Sequence, residues 1–144
     1  MRTAHTGYPG RMRPDAPFGS VTGIERGRRF QPKPQNVREA REFVAGTLRD
    51  QGFAGDEDIV LLLASELVTN AVRHAATPFE IRVDVDAAKV RVSVIDDDAE
   101  HPPLVRHPGP DDTNGRGLLL VDQLAALWGS DRVGQGKAVW FTLS

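Results

Sequence analysis

The order of predicted helices and strands indicates an α+β two-layer sandwich, with helices packed on one face of a mixed, mostly antiparallel sheet. Two helical stretches come first and two alternating strands follow, then a long loop, a third helix and two more strands. Segregation of this kind along the chain favours helices on one side of a sheet. The 144 residues, of which 40% are hydrophobic, suffice for one domain with a core.

A basic arm is predicted before this domain. Residues 1–26 contain glycine, proline and arginine without apolar periodicity, so we expect a disordered or loosely docked arm followed by a domain over 27–144. Residues 1–36 carry seven basic and two acidic residues, a net charge of +5, whereas the rest carries 11 and 18, a net charge of −7. The arm therefore reads either as a solvated tail or as a contact for an acidic partner.

Composition excludes several classes of protein. The overall charge of −2 argues against direct binding of nucleic acid. The absence of cysteine excludes disulfides and thiolate chemistry. Apolar runs are too short to span a bilayer, and the N-terminus lacks the apolar stretch of a signal peptide. We therefore expect a cytoplasmic protein without a membrane segment.

The first elements of the domain are a short strand and a helix. A short edge strand is predicted at 28–31, ahead of two prolines. Asn36 and Glu39 have capping-box spacing, which predicts a helix over 37–51. Gly52 is expected to end that helix.

A second helix and a hairpin follow. Apolar spacing predicts a helix from residue 56 to about 76, which Thr77-Pro78 stops. Its apolar face is expected to hold Ile59, Leu62, Leu63, Leu67 and Val68. Residues 79–85 and 89–95 alternate between apolar and polar side chains, and only residues 86–88 separate them. They predict an antiparallel hairpin with one buried face.

The remaining elements lie on either side of a long loop. Residues 97–114 are acidic and proline-rich, as expected for a binding loop or lid, or for a disordered segment. A helix is predicted over 117–127. Strands over 128–133 and 138–143, turned at 134–136, complete the sheet.

Two short patterns point to chemistry. Glu66 and Asn70 lie four residues apart on the second helix, so a carboxylate and an amide share one face about 6 Å apart along the axis. A carboxylate can accept a proton, and an amide oxygen can bind magnesium. Gly115 and Gly117 open the third helix, where backbone N–H groups can meet an anion. Together these features suggest a nucleotide site.

These patterns resemble the GHKL superfamily of ATPases and kinases, and most closely the bacterial anti-sigma factor serine/threonine kinases. Three blocks carry the resemblance, which covers about residues 27–144: ELVTNAVRHA at 66–75, VIDDD at 94–98 and GRGLLLV at 115–121. The resemblance implies a Bergerat-type ATP-binding fold with ATP and Mg2+ as cofactors.

Site residues follow from the same resemblance. Glu66 matches the general base, Asn70 the magnesium ligand, and Asp96 the acceptor for the adenine amino group. A carboxylate at that position would discriminate adenine from guanine, which carries a carbonyl there. The other residues implied to contact the nucleotide are Arg73, Asn114, Gly115, Arg116, Gly117 and Leu118. Arg73 reads equally well as a solvated or salt-bridged surface arginine.

Two positions depart from the family pattern. Asp98 stands where a glycine is usual, which bears on the turn after Asp96. Lys137 follows Gly136 where many members have threonine near the adenine.

The resemblance implies an ATP-dependent protein serine/threonine kinase. Its partner would be a STAS-type anti-anti-sigma protein, with a sigma factor as the competing client and homodimer formation left open. One alternative is a non-catalytic module that sequesters a partner with or without ATP. A histidine-kinase catalytic domain is disfavoured because the helix over 37–51 contains no histidine.

Overall fold

The computed structural model describes residues 23–98 and 117–144, in which three helices pack on one face of a five-stranded sheet. The elements in chain order are β1 (Ile24–Phe30), α1 (Gln35–Asp50), α2 (Glu57–Asn70), a π-helical turn (Ala71–Ala75), β2 (Phe79–Val85), β3 (Val90–Asp96), α3 (Gly117–Leu124), β4 (Leu127–Val133) and β5 (Gly136–Leu143). The strand order is β1-β2-β3-β5-β4, and each of these described pairs is antiparallel. The predicted α+β two-layer sandwich is confirmed.

The core lies between the helices and one face of the sheet. Phe79 and Ile81 of β2 have no exposed surface, and the same holds for Val92 of β3, which pairs with β2. Val44 of α1 and Leu63 of α2 are equally buried above them. Alternation along the strands thus supplies one side of the core, and helical periodicity supplies the other.

Strand β1 is longer than predicted. It begins at Ile24 instead of residue 28, so residues 24–26, predicted to belong to the arm, are part of the sheet. All seven residues of β1 pair with β2, from Ile24 opposite Val85 to Phe30 opposite Phe79. Backbone pairing with β2 therefore makes the strand longer than its pattern of apolar residues predicts.

The predicted capping box of α1 is wrong. The helix begins at Gln35, and its N-cap position is Pro34, without a side-chain hydrogen bond. The Asn36 side chain donates instead to the main-chain oxygen of Gln31 at 2.9 Å. The predicted end is confirmed, since Gly52 adopts a left-handed φ of +66° just after the helix.

Helix α2 begins as predicted, but its buried face is different. Asp56 caps the helix by accepting a hydrogen bond from the Ile59 N–H at 3.2 Å. Leu62, predicted in the apolar face, is 39% exposed, whereas Leu61 is buried. The helix contacts both α1 and α3, so its buried surface is set by two neighbours.

The last elements differ slightly from their predicted bounds. Helix α3 ends at Leu124, and Leu127 already belongs to β4. The Ala126 N–H donates to the main-chain oxygen of Thr142 at 2.9 Å, which draws the chain into the sheet before a further helical turn can form. Among the described residues, none of the helices combines the length and hydrophobicity that a membrane crossing requires.

The face of the sheet turned away from the helices also carries buried charge. Arg91 is 7% exposed, and its guanidinium lies 5.5 Å from the ring centre of Trp140. Burial lowers the pKa of Arg91, although Asp84 and Asp131 oppose this effect. Burial, and then the charge of Glu25, raises the pKa of Asp84 above its ordinary value of 3.8, while Arg91 opposes the rise.

We expect Asp84→Asn to raise the free energy of unfolding at pH 7 but not at pH 3. A carboxyl whose pKa is raised in the folded state binds its proton more tightly there, so its ionisation removes stability as pH rises above the ordinary value of 3.8. Asparagine resembles the neutral acid, so it avoids that loss. Urea unfolding at both pH values measures the difference. An equal effect at pH 3 and pH 7, or a variant less stable at pH 7, would contradict the assignment.

Candidate functional site

The second half of α2 presents Glu66 and Asn70 beside its buried face. Leu67 and Val68 are nearly fully buried, whereas Glu66 and Asn70 are both half-buried. Because both lie in one α-helix at a spacing of four residues, the acid and the amide share a face, as predicted. The pair borders the core without being enclosed by it.

A π-helical turn over Ala71–Ala75 follows Asn70 directly. The Ala76 N–H donates to the Ala71 oxygen at 3.1 Å, and Ala76 then adopts a left-handed φ of 55°. The prediction of a regular helix to residue 76 is wrong here, because the apolar spacing carries no signal for the wider turn. Arg73 lies in this turn and is exposed. Such turns recur at functional sites, where they redirect side chains.

The end of β3 lies against this same region. The π-helical turn contacts β3, and the Asp97 N–H donates to the Thr77 Oγ1 at 3.1 Å. Asp96, the last residue of β3, is only 4% exposed. The structure therefore brings the C-terminal end of α2 and the predicted nucleobase acceptor to one edge of the domain.

Asp96 already has hydrogen-bond donors in this structure. Lys137 Nζ lies 3.0 Å from Asp96 Oδ2 and 3.2 Å from Oδ1. The Asp98 N–H donates to Asp96 Oδ1 at 2.8 Å, which makes an Asx turn. The main-chain oxygen of Asp98 in turn accepts from Lys137 Nζ at 2.9 Å. The residue that replaces the usual glycine thus contributes its backbone, so the departure at Asp98 is compatible with an ordered turn.

Helix α3 packs against the helix that carries Glu66 and Asn70. It begins at Gly117 and contacts α2. Leu118 is 4% exposed and belongs to the core, so its side chain serves packing. Asn114, Gly115 and Arg116 lie outside the described residues, and their phosphate contacts stay predictions.

The donor set suits a magnesium ion that arrives with its phosphates. Within residues 23–98 and 117–144, no group of three or more His, Asp or Glu side chains is placed to hold a metal. Asn70 offers one amide oxygen. Magnesium commonly takes one or two protein oxygens and fills its shell with phosphate and water, so a single ligand fits that mode.

Comparison with known proteins agrees with this arrangement. The sequence model of the histidine kinase-like ATPase domain matches residues 30–143, from the end of β1 to the end of β5. An uncharacterized protein of Streptomyces coelicolor is 38% identical over 79 residues, covering 52% of this chain and 75% of the relative. The chain belongs to the histidine kinase-like ATPase domain family, which implies ATP binding and confirms the GHKL resemblance.

Proposed function

We propose that this histidine kinase-like ATPase domain is an ATP-dependent protein serine/threonine kinase of the anti-sigma type. It would phosphorylate a STAS-type anti-anti-sigma protein in the cytoplasm, and a sigma factor would compete for the same surface. The observation that carries the proposal is the Glu66 and Asn70 pair on one half-buried face of α2, beside the edge that holds Asp96. An acid next to a magnesium ligand suits transfer of a phosphoryl group to a hydroxyl.

Each residue has a distinct part in this proposal. Glu66 accepts the proton of the attacking serine or threonine hydroxyl. Asn70 holds magnesium through its amide oxygen, and Asp96 accepts a hydrogen bond from the nucleobase. The bound nucleotide supplies the phosphoryl group. The N-terminal amides of α3, which begins at Gly117, favour negative charge at the phosphates.

We expect Asn70→Ala to weaken binding of ATP in the presence of magnesium by at least about tenfold, the lower end of what changes around a metal cost. Titration calorimetry of the full chain with ATP, with and without magnesium, measures the effect. Asn36→Ala is the control, because Asn36 lies at the start of α1 and bonds to the Gln31 oxygen. Wild-type binding that is independent of magnesium, or an equal loss in both variants, would contradict the role of Asn70.

A non-catalytic module is the second candidate, and one observation favours it. Asp96 is already paired with Lys137, so the site is satisfied without a nucleobase. Such a module would sequester its partner with or without ATP. It would bind the partner but leave it unphosphorylated in the presence of ATP and magnesium, which mass measurement of the partner detects.

A further inference from the structure

Lys137, which departs from the family pattern, forms a buried ion pair with Asp96. The Lys137 side chain is 11% exposed and that of Asp96 is 3% exposed, so water competes little for either group. The two residues lie 41 positions apart and are opposite each other in the pairing of β3 with β5. A charge-assisted bond in such a place is stronger than its counterpart at the surface.

Counting donors and acceptors shows how little of Asp96 is left for a ligand. The Lys137 ammonium has three N–H groups and lies within hydrogen-bond distance of three oxygens, the two of Asp96 and the main-chain oxygen of Asp98. Asp96 Oδ1 accepts from both Lys137 and the Asp98 N–H, which uses both of its lone pairs. Among the described residues, these bonds leave one lone pair of Oδ2 unused.

We propose that Lys137 is an internal competitor for the nucleobase. Its ammonium lies against both oxygens of the carboxylate that an amino group of the base would need, so full access to Asp96 requires the nucleotide to draw the ammonium away from one of them. This inference rests on the proposed role of Asp96 as the nucleobase acceptor. After displacement the ammonium retains the Asp98 oxygen, so its charge stays solvated by the protein. Lys137 therefore lowers the affinity for ATP and reduces the contribution that the amino group of adenine makes to that affinity.

The proposal predicts how tightly two nucleotides bind to the wild type and how tightly ATP binds to a variant without Lys137. ATP carries the 6-amino group, and purine riboside triphosphate lacks it. In the wild type the bond gained by the amino group is offset by the bond lost from Lys137, so the two nucleotides should bind within about threefold of each other. In Lys137→Thr the amino group meets an open acceptor, and ATP should bind about tenfold or more tightly than in the wild type, the effect of one charge-assisted hydrogen bond.

Calorimetry of the full chain with both nucleotides and magnesium tests this prediction. Lys33→Thr is the matched control, because Lys33 is exposed in the segment between β1 and α1, and it should leave both affinities unchanged. Circular dichroism checks folding, and Lys137→Met serves as a second variant that keeps the apolar stem. If neither variant folds, the wild-type comparison decides, because a tenfold preference for ATP would show that Asp96 is open and would overturn the proposal.

The remaining outcomes separate this inference from the proposed function. Unchanged or weaker binding of ATP by a folded Lys137→Thr protein overturns the competitor role and leaves the nucleotide site standing. Binding of neither nucleotide by any of the proteins overturns the nucleotide site, and the competitor role with it.

Discussion

Replacement of Glu66 by glutamine should reduce phosphoryl transfer by about 10²–10⁴-fold, the usual contribution of a general base. Binding of ATP should change little, because the proposed contacts to the nucleotide come from other residues. Glutamine has nearly the shape of glutamate but cannot accept the proton of a hydroxyl. The half-buried position of Glu66 on α2 should tolerate this isosteric change without loss of the fold.

Two readouts separate catalysis from binding in this experiment. Transfer of labelled phosphate from ATP to a purified STAS-type anti-anti-sigma protein, together with phosphate release from ATP alone, measures the chemical step. Calorimetry measures affinity. The matched control is Glu57→Gln, at the other end of α2 and about 13 Å away along the axis, where the carboxylate pairs with Arg49 at 3.1 Å. Full activity of the Glu66 variant would contradict the role of Glu66 as general base. A joint loss of activity and ATP binding would indicate a structural role instead.

Local periodicity made most of the fold predictable. Residues 79–85 alternate strictly, which left one choice of buried face, and the structure has that face in the core. The edge strand was underestimated because β1 depends on pairing with β2 and has little apolar pattern of its own. The cap of α1 was misplaced because Asn36 found an acceptor in the preceding segment, a contact that spacing alone does not encode.

The sequence predicted the parts of the site that depend on residues close together in the chain. Glu66 and Asn70 share a face because any α-helix places residues four apart together. Asp96 could be placed at the end of a strand because the alternating pattern of the hairpin ends there. The bond from Lys137 to Asp96 depends instead on the register of β3 against β5, which no short window contains. The π-helical turn after Asn70 likewise has no signal in the apolar spacing, so the resemblance could name residues but not their contacts.

The close approach of β5 to β3 depends on a glycine, and Gly136→Ala should be strongly destabilising. A Cβ at Gly136 would lie 1.8 Å from the main-chain oxygen of Asp96 and 2.8 Å from the Cα of Asp97. Both are backbone atoms within or next to a paired strand, so neither can move aside as the tip of a side chain would. We expect a loss of about 3 kcal/mol or more, a large part of the stability of an ordinary domain.

Gly46→Ala adds the same methyl group but should raise the free energy of unfolding instead of lowering it. Gly46 lies inside α1, and a Cβ there would meet no atom of the described residues within 4 Å, so the helix should gain about 0.5–1 kcal/mol. Urea unfolding of the two variants and the wild type measures both effects. Equal stability of Gly136→Ala and the wild type would mean that the strands are not held this closely at Asp96. The register that sets Lys137 opposite Asp96 would then lose its support, because the same close approach places both side chains.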